Sequence, residues 1–246
     1  MKEKKSKQKP QTERLSMFKL NKRFSYPSST RSLIRGSRHY DLGQEQLPSV
    51  TTILSQTQTQ EKRESLQRWK DRIGADQATR IRDQAAERGT AMHKFLEDHL
   101  HGKQRVDLTP IGQEARTMAQ QIIEKGLTDL GEFWGTEVTV FYPGLYAGAT
   151  DLVGMYQGVE TICDFKQSNK PKRREWIEDY FLQLGAYAMA HNYVYGTQIT
   201  QGVILLCTKD NYFQRFLVNE TEFMSYQHKF LARVGQYYKE KGENVV

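Results

Sequence analysis

The stretch VETICDFK, residues 159–166, decides the fold, because it has the pattern of a buried β-strand that ends in charged residues. Side chains two positions apart share one face of a strand, so Asp164 and Lys166 point the same way. The segment AGATD, residues 147–151, is predicted to bring a second carboxylate, Asp151, from the preceding strand. Two carboxylates beside an ammonium suit a divalent cation with open positions for water and phosphate. Taken alone, Asp-x-Lys also fits a solvated ion pair.

Three other segments place polar residues where they could join the same site. His93 shares one helix stripe with two leucines, at i+3 and i+7, so it points inward. Gln183 and Tyr187 are four residues apart and lie on one helix face. Glu137 lies on a strand that ends at a turn at residues 142–144, which returns the chain toward Asp151. The alternatives are a hydrogen-bonded core histidine, boundary packing and an exposed strand glutamate.

Read in order, these motifs resemble a known enzyme family. Helix histidine, strand glutamate, Gly-x-x-Asp, Asp-Phe-Lys and Gln-x-x-x-Tyr together resemble the RecB-type branch of the PD-(D/E)XK nuclease superfamily, over residues 46–240. Within that branch, LPSVTTIL at residues 47–54 resembles the mitochondrial genome maintenance exonucleases and their phage and bacterial relatives. The chain departs at Thr150, where the superfamily name implies proline, and at Gln167, where relatives often carry threonine.

The resemblance implies a set of site residues and a cofactor. Asp151, Asp164 and Lys166 would be catalytic. His93, Asp151, Asp164 and the main-chain carbonyl of Phe165 would hold Mg²⁺ or Mn²⁺, and the histidine suits Mn²⁺ at least as well. Substrate contacts are expected at Arg88, Glu137, Ser168, Gln183 and Tyr187, with Glu137 also able to reach the metal through water. An iron–sulfur cluster is not expected, because two cysteines cannot supply four thiolate ligands.

The composition bounds the architecture. The chain has 246 residues and is 37% hydrophobic, which suffices for a sizeable core. We predict an α/β fold with a restriction-endonuclease-like core, a mixed central sheet flanked by helices, and an N-terminal helical region. The expected division is a flexible basic arm at 1–40 and a single nuclease domain at 41–246, with a helical region at 46–130 and a catalytic core at 131–246.

The charge is unevenly distributed. Residues 1–40 carry twelve Lys and Arg against two Glu, whereas the remaining 206 residues carry 24 basic and 27 acidic side chains. Contact with a phosphate backbone must therefore come from local patches or from the arm, which could equally be a solubilising tail. Helix 61–73 and the basic residues of 170–174 could line a narrow path, with Trp69 and Trp176 either stacking on bases or packing in the core.

Local patterns predict the order of elements. Ser49 is expected to cap a helix at 50–54, and a short strand pair is expected near 37–42. Further helices are predicted at 61–73, 75–87, 90–101, 111–130, 174–195 and 220–240, and strands at 132–142, 145–156, 159–167, 199–207 and 211–219.

The resulting functional prediction is a metal-dependent DNA exonuclease that acts on single-stranded ends in replication, recombination or repair. A structure-specific or restriction-like endonuclease and a non-catalytic DNA-binding subunit remain open alternatives. No apolar run is long enough for a membrane span, and no secretory signal is indicated. An intracellular, cytoplasmic location in a bacterium or a phage-infected host is expected, with Cys163 and Cys207 as reduced core thiols. A mitochondrial location is the alternative, although residues 1–9 lack the pattern of a presequence.

Overall fold

A computed structural model of the protein describes residues 18–242. The strands are β1 (Lys19–Leu20), β2 (Thr30–Ile34), β3 (Ser37–Asp41), β4 (Gln46–Pro48), β5 (Leu130–Tyr142), β6 (Tyr146–Tyr156), β7 (Val159–Ser168), β8 (Gln201–Thr208) and β9 (Phe213–Asn219). The helices are α1 (Val50–Gln56), α2 (Gln60–Ile73), α3 (Ala75–Leu100), α4 (Pro110–Lys125), α5 (Glu178–Tyr195) and α6 (Glu220–Glu240), with 3₁₀ turns at Leu127–Asp129 and Arg174–Trp176.

The central sheet has the strand order β1-β5-β6-β7-β8-β9. Strands β5, β6 and β7 form an antiparallel meander, because short turns join them. Strand β8 then pairs parallel with β7, and α5 provides the crossover that a parallel connection needs. β9 closes one edge antiparallel to β8, and β1 pairs parallel with β5 at the other. This mixed sheet flanked by helices is the α/β, restriction-endonuclease-like arrangement that the sequence predicted.

Helices cover both faces of the sheet, and its central strands β6, β7 and β8 are mostly buried. Ile162 of β7 packs into the cluster that includes α5 and α6, whereas Cys163 and Phe165 pack into the cluster that includes α3 and α4. Asp164 and Lys166 alternate with those residues and therefore lie on the α5 side. Cys163 and Cys207 are buried free thiols, as predicted.

The N-terminal region contains a second, smaller sheet. Strands β2, β3 and β4 are antiparallel, and the buried side chains of Tyr40 and Leu47 pack against Ala147 of β6. The prediction that residues 1–40 form a flexible arm is therefore wrong for the strands β1 and β2, which backbone hydrogen bonds tie to β5 and β3. Residues 1–17 of the predicted arm lie outside the described residues.

The helical region differs from the prediction at two places. The helices predicted at 75–87 and 90–101 are one continuous α3, because Gly89 keeps a helical backbone and lies close to Gln167 of β7. The helix predicted to reach residue 130 ends at Lys125, and Leu130 already begins β5. Ser49 caps α1 as predicted, because its side chain accepts a hydrogen bond from the Thr52 N–H.

Helix α2 and the first half of α3 are mostly exposed and are joined directly at Gly74. Gly74 joins the two helices with φ 85°, a conformation that glycine adopts without strain. Along α2, which is described in full, no residue is buried. Within residues 18–242, none of the helices has the length and apolar content needed to cross a membrane.

Candidate active site

The site forms where β6 and β7 separate. Their pairing ends at Leu152 opposite Cys163, so the next residues in register are Asp151 and Asp164. Beyond that point the Asp151 carboxylate fills the gap, because its Oδ2 accepts a hydrogen bond from the Phe165 N–H at 2.7 Å. The acidic side chain thus replaces a backbone acceptor in the sheet.

A third carboxylate extends the same row onto β5. Thr136 lies opposite Leu152 and Val138 opposite Thr150, which puts Glu137 opposite Asp151. Glu137 has φ 52°, in the left-handed region that non-glycine residues rarely adopt. Strain of this kind is concentrated at functional sites.

His93 of α3 completes a cluster of candidate metal ligands with Glu137 and Asp151. Its Nδ1 lies 3.4 Å from Asp151 Oδ1 and 3.6 Å from Glu137 Oε1, and one ligand atom from each residue lies within 4.8 Å of the others. Its Nε2 is 2.8 Å from the Phe165 carbonyl oxygen, so α3 is tied to the backbone of β7. The inward position predicted for His93 is confirmed.

The predicted metal ligands are only partly gathered in this cluster. His93 and Asp151 belong to it, and Glu137, which was predicted to contribute through water, lies close enough to bind directly. Asp164 pairs instead with Lys166. The Phe165 carbonyl faces the His93 ring.

Asp164 and Lys166 form a buried ion pair, as the period of two along the strand predicted. Among the described residues, no hydrogen bond of good geometry reaches Asp164 Oδ2, although the Lys166 ammonium contacts it. Lys166 Nζ also donates to Gln183 Oε1 at 3.3 Å and lies 5.0 Å from the centre of the Tyr180 ring. The ammonium is thus held from three sides.

Burial and charge shift the pKa values of these groups in opposite directions. Burial raises the pKa of Asp164 to about 6, more than the neighbouring Lys166 ammonium lowers it. Asp151 is also buried, but His93 and Lys166 hold its pKa below the ordinary value. Burial disfavours charge on His93, yet Asp151 and Glu137 raise its pKa to about 10. Burial likewise opposes charge on Lys166, and the two aspartates raise its pKa. A divalent cation would compete with these protons for the carboxylates.

Gln183 and Tyr187 support the site from α5. The Gln183 side-chain amide donates to the Tyr187 hydroxyl at 2.9 Å, and Tyr187 is buried. A Cβ atom at Gly148 would lie 2.5 Å from Tyr187 Cε1, so only glycine lets this ring pack against β6. The glycine of the Gly-x-x-Asp motif therefore has a packing role.

Ser168 ends β7, and Arg88 of α3 lies close to it. The polar atoms of both side chains form hydrogen bonds with other protein groups. Arg88 is 4% exposed, and its guanidinium donates to Gln167 at 3.0 Å and to Glu114 at 3.1 Å, and to Asn169. The Ser168 hydroxyl donates to the Lys170 carbonyl at 2.8 Å. The polar atoms of Arg88 and Ser168 thus have protein partners in the structure. The substrate contacts predicted for these two residues remain predictions.

Two clefts beside the site share one lining residue. The first, of about 950 Å³, is lined by His93, Glu137 and Lys166, together with Arg31 of β2. The second, of about 1030 Å³, lies between α2 and the segment 172–180. Tyr180 lines both clefts.

Sequence reasoning did not identify Arg31 or Tyr180 as site residues. Arg31 fell within the expected arm, and its approach to the cleft depends on the small sheet. Tyr180 lies three residues before Gln183 on α5, so its helical spacing was a signal that both residues could face Lys166. The alternatives for Trp176 resolve against core packing, because its side chain is 60% exposed.

Comparisons with known proteins show which proteins the chain resembles. The chain is 31% identical to mitochondrial genome maintenance exonuclease 1 of Xenopus tropicalis over 212 residues, which is 80% of this chain and 59% of the relative. The human protein of the same name is 30% identical over 214 residues, 81% of this chain and 60% of the relative. The chain resembles these exonucleases. The resemblance that the motifs predicted is therefore confirmed, although the chain spans only about 60% of the relatives' length.

Solved structures show weaker likeness. A candidate exonuclease from Eubacterium rectale has a TM-score of 0.46 and 15% identity, covering 64% of this chain and 65% of that chain. An alkaline exonuclease from Laribacter hongkongensis has a TM-score of 0.27 and 14% identity, covering 62% of this chain and 84% of that chain. These values are too low to bear on activity. No family model matches the chain.

Proposed function

We propose that this protein is a metal-dependent DNA exonuclease that hydrolyses phosphodiester bonds from single-stranded ends. The observation that carries the proposal is the row of Glu137, Asp151 and Asp164 across three strands, with Lys166 beside it and His93 above it. Similarity to mitochondrial genome maintenance exonuclease 1 supports the reaction class. A role in replication, recombination or repair follows from the same proposal.

The donor set fits Mg²⁺ or Mn²⁺. Carboxylate oxygens are hard ligands that suit both ions, and one imidazole favours Mn²⁺ at least as well as Mg²⁺. Asp164 Oδ2 is buried and contacts the Lys166 ammonium, so Asp164 would serve as a further ligand through a carboxylate that it shares with Lys166. A bound cation would supply charge neutralisation at the phosphate and a more acidic water.

In this proposal, the protein groups position the reactants around that ion. His93, Glu137 and Asp151 would hold the ion, and Asp164 on the neighbouring strand would be a further ligand. Lys166 keeps its proton and donates it in hydrogen bonds, which orients water and stabilises the negative charge that builds on the phosphoryl oxygens. Gln183 positions the Lys166 ammonium, because its amide oxygen accepts from Lys166 while its amide nitrogen donates to the Tyr187 hydroxyl.

The two clefts suggest a path for a single strand. The first cleft contains the candidate metal ligands. The second cleft is lined by basic side chains that could contact phosphates, Arg68, Arg72 and Lys172, and by aromatic rings that could stack on bases, Trp69 and Trp176. Because Tyr180 lines both clefts, a strand that occupies both would pass this ring beside α2. The body of the chain is not basic, which disfavours broad wrapping of a duplex.

The decisive experiment compares linear and circular single-stranded DNA with Mg²⁺ or Mn²⁺. A 5′-labelled or 3′-labelled linear strand should be degraded stepwise from an end, while a circular strand of the same sequence resists. Cleavage of the circle would favour the endonuclease alternative.

The matched variant is Lys166→Ala. It should lower turnover by about 10²–10³, the loss typical of one preorganised electrostatic stabiliser, while the protein stays folded by circular dichroism. Near wild-type turnover in this variant would remove the proposed mechanism. A wild-type protein that binds DNA without degrading it under either metal would favour the non-catalytic alternative.

A further inference from the structure

Four lysine and arginine side chains line the active-site cleft, and they differ in the length and burial of their ion pairs with acidic residues. Lys166 is buried against Asp164. Lys94 contacts Glu97 at 2.9 Å, and Arg105 contacts Asp98 at 3.5 Å. Arg31 is 4.0 Å from Glu137, the longest of these four ion pairs, and its side chain is 53% exposed. Arg31 is therefore the cation in the cleft that can most easily accept another anion.

The small N-terminal sheet determines where Arg31 points. Arg31 lies opposite Tyr40 in the β2–β3 pairing, and its guanidinium carbon is 5.6 Å from the centre of the Tyr40 ring. Tyr40 is buried against Ala147, four residues before Asp151 on β6. The Ser29 and Thr139 hydroxyls, 2.7 Å apart, add a hydrogen bond between the start of β2 and β5. Because of these contacts, Arg31 is fixed relative to the catalytic strands.

Glu137 connects Arg31 with the metal ligands. In the structure its carboxylate lies between the Arg31 guanidinium and the His93 ring. A carboxylate that coordinates a divalent cation has less negative charge to offer a neighbouring arginine. The guanidinium would then need another anion, and a DNA phosphate presents oxygens that match its two-pronged donor geometry.

We infer that Arg31 is a substrate-binding residue that contacts a DNA phosphate next to the scissile one. The inference rests on the proposed function, because it takes DNA as the ligand of this cleft. Arg31 lies on β2, which precedes every family motif in the sequence. Its role would be to hold the DNA strand in register with the metal ligands.

The test measures DNA binding without turnover. Each variant is made in a Lys166→Ala background. A 5′-fluorescein-labelled single-stranded 20-mer is titrated with the protein in the presence of Mg²⁺, at several salt concentrations. Arg31→Ala should weaken binding about tenfold, because a hydrogen-bonded charge contact is lost. The salt dependence of log Kd should become shallower by about 0.7, the value for one phosphate contact on a single strand.

Two control variants sharpen the result. Arg38, exposed on β3 of the same small sheet, is not among the described residues that line the cleft. Arg38→Ala should therefore stay within about twofold of the Lys166→Ala parent, since it removes the same charge outside the cleft. Arg31→Lys should keep the salt slope and lose part of the affinity, because lysine cannot form the two-pronged contact.

The outcomes separate this inference from the proposed function. If Arg31→Ala and Arg38→Ala give equal Kd values and equal salt slopes, Arg31 does not bind phosphate, even where the wild-type protein degrades DNA. A lower melting temperature for Arg31→Ala with an unchanged salt slope would assign Arg31 a structural role and also overturn the inference. A wild-type protein that neither binds nor cleaves DNA would reject the proposed function itself.

Discussion

Replacing Asp164 with Asn should make the metal-free protein more stable while abolishing its activity. Burial raises the pKa of Asp164 to about 6, above the ordinary value of 3.8. Between these values the folded protein holds a proton that the unfolded chain has lost. Stability therefore falls as pH rises through this interval and stays lower above it. Asn has nearly the same shape but cannot ionise, so it avoids this loss.

The size of the effect follows from the shift. A difference of about two pKa units, at about 1.4 kcal/mol each, corresponds to about 3 kcal/mol of unfolding free energy. The advantage of Asp164→Asn over the wild-type protein should be small near pH 4, grow up to about pH 6 and remain constant above it. The attraction of the Lys166 ammonium is already included in this shift, because it lowers the pKa of Asp164.

The assay is urea unfolding in the presence of EDTA, at pH values from 4.5 to 8, for the wild-type protein and two variants. Asp151→Asn is the control, because His93 and Lys166 hold the pKa of Asp151 below its ordinary value despite its burial. An ionised Asp151 stabilises the fold above the ordinary carboxyl pKa, so its replacement should cost stability at neutral pH and less in acid. Parallel pH profiles for the wild type and Asp164→Asn, or the same sign for both variants, would refute the reasoning.

Two further predictions concern metal binding and packing. His93→Ala should lose activity mainly through weaker metal binding, so raising Mn²⁺ should recover part of it; an unchanged metal dependence with a lower melting temperature would instead identify a core histidine. Gly148→Ala should destabilise the fold by about 1–3 kcal/mol, because the added Cβ would meet the Tyr187 ring at 2.5 Å. Gly131→Ala on β5 is the control for thermal unfolding, since its Cβ would meet Met155 at an ordinary 3.7 Å, and equal melting temperatures for the two variants would contradict the packing role of Gly148.

Local periodicity predicted the parts of the site that lie within one element. Asp164 and Lys166 pair because side chains alternate along a strand, and Gln183 bonds to Tyr187 because residues four apart adjoin on a helix. The last helix was predicted with its observed bounds, 220–240, since a clear apolar stripe follows a strand without an intervening loop.

Register and long-range pairing were beyond the same reasoning. Glu137 joins the metal ligands because β5 is aligned with β6 and because its own φ is positive, and neither can be read from spacing. The basic composition of residues 1–40 favoured a flexible arm. In the structure this segment contributes Phe24 and Tyr26, which pack with Trp134 and His191 in an aromatic cluster formed by distant residues.

The hydrogen bond from the Phe165 N–H to Asp151 makes the length of the Asp151 side chain important. Asp151 spans the opening between β6 and β7, and its other carboxylate oxygen remains directed toward His93. A glutamate would have the same charge and the same affinity for hard cations, but its extra methylene would force either the strands apart or the ligand oxygen out of the cluster. The aspartate therefore works as a spacer as well as a ligand, and chemical equivalence is not enough for this position.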